Sequence, residues 1–86
     1  MNLLNVKRDN VDRCLHNLTQ ACNQGSYDLS EVLLAASEFL GRIIVDTCDT
    51  PISGIQMATV MEDHIKRTLQ AGYAAKGYNM GPVELN

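Results

Sequence analysis

Five side chains in this sequence carry a thiol or an imidazole, the groups that bind zinc or pair as nucleophile and base: Cys14, Cys22, Cys48, His16 and His64. Zinc needs four nitrogen or sulfur ligands held close together, and these residues show neither a CxxC nor an HxxxH spacing. Cys14 and Cys22 fall eight residues apart on one expected helix, about 12 Å along its axis, too far to share a metal or a disulfide. Dinuclear carboxylate centres in helical bundles place Glu three residues before His, but that position before His64 is Met61. A cysteine nucleophile requires a neighbouring base, and no spacing sets Cys48 beside His64. Gly77 to Gly81 lacks the Lys-Ser/Thr pair and the following helix of a phosphate loop. These patterns predict no enzyme, no metal and no cofactor.

Two expectations remain for the chemically distinctive residues. His64 falls on an apolar helical arc with Met57, Val60, Thr68 and Ala71, so it is expected to be buried or interfacial, as a packing histidine or as a contact to a ligand or partner. An imidazole buried in its neutral form resists protonation, so acid below about pH 6 would then weaken the fold or the assembly. Tyr73, Lys76 and Tyr78 join His64 as a candidate ligand-binding set, because aromatic faces and an ammonium can grip the base and phosphate of a nucleotide-like anion. His16, beside Asp12 on a polar face, reads as a solvated residue.

Apolar periodicity assigns these residues to three helices. The central one runs from Leu29 to Cys48, and its face containing Leu29, Val32, Leu33, Ala36, Phe39, Leu40, Ile43 and Ile44 covers roughly 140° of arc. Glu31, Glu38, Arg42 and Asp49 form a narrow solvated strip opposite. Between them lies a seam of mostly small residues, from which Ser37, Gly41, Val45 and Cys48 are the candidate interface for a second helix.

The first helix is expected from about Leu4 to Gln24, with surface pairs Asp9–Arg13 and Asp12–His16 and a left-handed Gly25 as its stop. Asp28 and Glu31 suggest a capping box, flanked by Tyr27 and Val32 as a hydrophobic staple. Asp49-Thr50-Pro51 ends the central helix. Ser53 and Gln56 suggest a second capping box, with Ile52 and Met57 as its staple, opening a third helix from about Gly54 to Lys76 that Gly77 closes. Glu62–Lys66 and Asp63–Arg67 would pair on its solvent side. Residues 78–86 read as a tail docked through Tyr78, Val83 and Leu85. The expected architecture is all-α: one domain, residues 1–77, as a three-helix antiparallel bundle or helical hairpin, followed by the tail at 78–86.

Composition bounds the function. A chain of 86 residues barely offsets the entropy of ordering itself, so an oligomer is expected. Hydrophobic residues make up 45%, with no Trp and one Phe, which predicts an aliphatic, methionine-bearing core. The net charge of −3 is concentrated in residues 25–50, where five acids face Arg42 alone; with no basic stripe, nucleic acid is a poor partner. No apolar run reaches the roughly 20 residues of a membrane span. Three cysteines, an odd number, are expected as buried thiols in a reducing, cytoplasmic setting. The reading is a small homo-oligomeric interaction protein, an adaptor, accessory or inhibitor of the size bacterial and phage accessory proteins have, with an unknown protein partner. The alternative is an oligomer that sequesters a small anionic ligand between subunits near His64, Tyr73 and Lys76.

Overall fold

Thr50 and Pro51 show how local chemistry sets the helix boundaries. Proline's fixed φ suits the first helical position, and the residue before it is held extended; Thr50 sits at φ −129°, ψ 154°. From there its Oγ1 accepts from the Ser53 backbone N–H at 3.1 Å, while the Thr50 N–H donates to Ser53 Oγ at 3.3 Å. This capping box starts the third helix at Pro51, one turn before the box expected at Ser53 and Gln56. Proline ends the preceding helix and begins the next. The expected Ile52 staple is displaced with the box, and Ile52 is exposed.

The computed structural model describes residues 3–79. Among them are a 3₁₀ turn at Leu3–Asn5 and three α-helices, α1 (Arg8–Gln24), α2 (Leu29–Thr47) and α3 (Pro51–Ala75), with no strand. The chain divides into two units, Met1–Ile43 and Ile44–Asn86, the boundary falling inside α2. The expected docking through Val83 and Leu85 lies outside the described residues.

In the first unit, α1 begins at Arg8 and not near Leu4. No apolar residue stands at positions 7 or 8 to continue the period from Leu4 towards Val11, and Lys7, extended at φ −99°, supplies no capping side chain. With the start at Arg8, Asp12 pairs backward with Arg8 at 2.9 Å instead of forward with His16. Arg13 donates to Asn10 and does not pair with Asp9. Gly25 also departs from expectation: at φ −84°, ψ 159° it is extended, not left-handed, although its N–H still donates to Ala21 O. Its role is steric, since a Cβ at 25 would collide with the Tyr27 ring. At the head of α2, the Asp28 N–H donates to Glu31 Oε1 at 2.9 Å, the carboxylate half of the expected capping box.

In the second unit, the end of α2 meets the start of α3. Ile44, 8% exposed, is the buried hydrophobic residue among those described. A Cβ on Gly54 would stand 3.5 Å from Ile44 Cγ2, so the glycine marks the approach of α3 to that side chain. Lys66 and Glu62 pair at 3.5 Å as expected. Asp63 does not pair with Arg67; its Oδ1 is covered and accepts no hydrogen bond among the described residues. After α3, Gly77 is left-handed at φ +93°. The Gly77 N–H donates to Ala74 O and the Tyr78 N–H to Tyr73 O, both at 3.0 Å, which is a Schellman cap.

Candidate functional site

The tyrosines at the end of α3 are placed by that cap. In a Schellman motif the residue two beyond the cap packs on the one three residues inside the helix end, and here those are Tyr78 and Tyr73, edge to face with centroids 5.7 Å apart. Lys76 Nζ stands 5.7 Å from the Tyr73 ring centre. Tyr73, Lys76 and Tyr78 are thus brought together, and helix termination accounts for their contact without a ligand. Beside them Thr68, Leu69, Gly72, Tyr73 and Lys76 line a shallow pocket of about 230 Å³. That volume is below the roughly 300–1,000 Å³ of small-molecule sites.

His64 does not join this pocket. It is exposed in the single chain, so of the two expectations, buried or interfacial, burial within the chain does not hold; its backbone carbonyl accepts from Thr68 Oγ1 at 2.9 Å. A helical wheel shows which residues share an arc, not which part of that arc a neighbour covers; in this stretch Met57 and Met61 are half-covered while Val60 and His64 are not. Cys14 and Cys22 are exposed free thiols, also against expectation, and Cys48 is half-buried.

The larger concavity lies within the first unit. Leu18 and Cys22 of α1, Tyr27 of the turn, and Val32, Ala36 and Phe39 of α2 line an apolar groove of about 720 Å³. Tyr27 and Val32, the expected staple pair, both face it. Phe39 is 54% exposed, so the groove opens to solvent. Its presence was partly legible in the broad apolar face of α2; the contribution of Leu18, Cys22 and Tyr27 required the fold.

The seam on α2 is equally open. Leu34 and Val45 are 62% and 77% exposed, and nothing lies within 4 Å of where a Cβ on Gly41 would stand. Ser37 Oγ donates to Leu34 O at 2.9 Å, so its hydroxyl is satisfied within the helix and leaves the seam free of an unmet donor. Glu38 and Arg42, one turn apart and exposed, close no ion pair among the described residues.

Among the described residues no group of three or more His, Cys, Asp or Glu side chains is arranged to hold a metal ion, and no helix is long and apolar enough to cross a membrane. No protein-family model, no curated protein and no solved structure matches this chain.

Proposed function

We propose that this chain works through protein–protein contact, as a small non-enzymatic, homo-oligomeric interaction protein of the cytoplasm that acts as an adaptor, accessory or inhibitor. In that assembly the three helices take the antiparallel bundle arrangement expected from their short connections. One observation carries the reading: Leu33, Leu34, Phe39 and Val45 on α2 are each more than half exposed, while on the same helix Ile44 alone is buried. Fully covering a Val, Leu or Phe side chain is worth about 1.5–3 kcal/mol, so association has several such contributions to draw on. Single exposed apolar residues are ordinary on a monomer; a groove and a seam on one helix are not.

Sedimentation equilibrium of the whole chain at micromolar concentration tests the proposal. The expected result is a dimer or larger species that dissociates on dilution. A monomer of 9.5 kDa at every concentration would overturn it.

A further inference from the structure

Within that reading, and resting on it, we infer that the apolar groove between α1 and α2 receives α3 of a second copy of this chain, laid antiparallel to α2 with Lys76 at the Glu31 end and Glu62 at the Arg42 end. The groove lies wholly within the first unit, between Leu18 and Ile43, so the α1–α2 hairpin alone gives it its shape. At about 720 Å³, with Glu31 the one charged residue of its lining, it suits an occupant that is apolar along its length and charged at its ends.

The second unit supplies a segment of that kind. Glu62, Ile65, Leu69, Tyr73 and Lys76 recur every three or four residues and so form one stripe along α3, apolar in the middle with an acid at one end and a base at the other. In the single chain groove and stripe are both open: Ile65, Leu69 and Tyr73 are exposed, as is Phe39 in the groove. Each copy thus carries both halves of the contact, and a reciprocal dimer or a closed ring fills every groove.

Charge and length set the direction. Glu31 and Arg42 stand eleven residues apart, about 16 Å along α2 and on the same side of it, while Glu62 and Lys76 are about 21 Å apart on α3. Antiparallel docking brings Lys76 to Glu31 and adds Arg42 to the existing Glu62–Lys66 pair, with an offset of about 2–3 Å at each end that long side chains span. Parallel docking would set Lys76 on Arg42 and Glu62 on Glu31. In the antiparallel register Tyr73 falls level with Val32, Leu69 with Ala36 and Ile65 with Leu40, and all three of those α2 residues line the groove. The small Ala36 leaves room for the leucine above it. Charge thus selects the direction and apolar burial supplies the affinity.

Sedimentation of variants tests this contact. Leu69→Lys removes the central apolar side chain and should self-associate tenfold or more weakly than wild type. Arg42→Glu and Glu62→Arg each set like charges together at one end and should each associate severalfold more weakly at low salt. Mixed, these two variants restore opposite charges in every contact between unlike copies, so native mass spectrometry should show mixed species in excess of either variant alone. The double variant R42E/E62R should recover association, which separates a lost contact from a damaged fold, and circular dichroism checks helix content. A wild-type oligomer that Leu69→Lys leaves intact would overturn the groove contact and leave oligomerisation standing. Weakened single variants whose mixture shows no excess of mixed species would place α3 in the groove of its own chain and overturn the second copy as occupant. A wild-type monomer at every concentration would overturn both readings.

Discussion

Replacing Gly41 by Ala should change stability in opposite directions at low and high protein concentration. In the single chain the new methyl group meets nothing within 4 Å, so only the backbone term operates. Glycine in a helix interior is about 1 kcal/mol less favourable than alanine, which makes Gly41→Ala stabilising by about that amount and raises Tm by about 4–8 °C for a domain of this size. In a dimer packed through the α2 seam the same methyl would lie in the contact, and two methyls are added per dimer. Overpacking at such a contact costs about 1–3 kcal/mol, enough to cancel the gain or reverse it. Thermal unfolding followed by circular dichroism from about 2 to 200 μM separates the regimes, because a dimer's Tm rises with concentration and a monomer's does not. Gly72→Ala is the internal control, since Gly72 is also helical with open space at its Cβ. The expected outcome is a gain for Gly72→Ala throughout and a gain for Gly41→Ala that shrinks or inverts as concentration rises. Equal gains for both variants at every concentration would refute the claim that Gly41 lies in a self-contact.

Thr50→Ala should cost about 0.5–2 kcal/mol in chemical denaturation by removing the cap on α3, whereas Gln56→Ala, the partner in the box expected from sequence, should be close to neutral. Gly54→Ala should stabilise by about 0.5–1 kcal/mol, since the added Cβ makes an ordinary 3.5 Å contact with Ile44 Cγ2; a loss would show that α3 packs closer there. Gly25→Ala should destabilise in the wild-type background by displacing the Tyr27 ring, but stabilise by about 0.4–1 kcal/mol when combined with Tyr27→Ala. The double-mutant cycle checks this, and additivity would rule out the steric coupling.

What the sequence determined by itself is local. The limits of α2 were readable because the Asp28 N–H and the Glu31 carboxylate lie three residues apart and the apolar period runs unbroken to the last turn. The left-handed stop at Gly77 was readable because it needs no distant neighbour. The box expected at Ser53 and Gln56 falls one turn too late, because proline's fixed φ at Pro51 suits the first helical position and leaves Thr50 to cap it. Placement against other elements was not readable. Ile44 and Val45 are adjacent and alike in hydrophobicity, yet one is covered and the other 77% exposed. Periodicity says which side chains share a face, but a face is buried only where another surface meets it. The same limit applies to His64, whose helical arc is apolar and whose own position is open in the single chain. It also disguised Gly25, whose glycine requirement comes from the Tyr27 ring and not from its own φ. Burial and steric demand depend on atoms brought together in space, and only the tertiary structure decides which atoms those are.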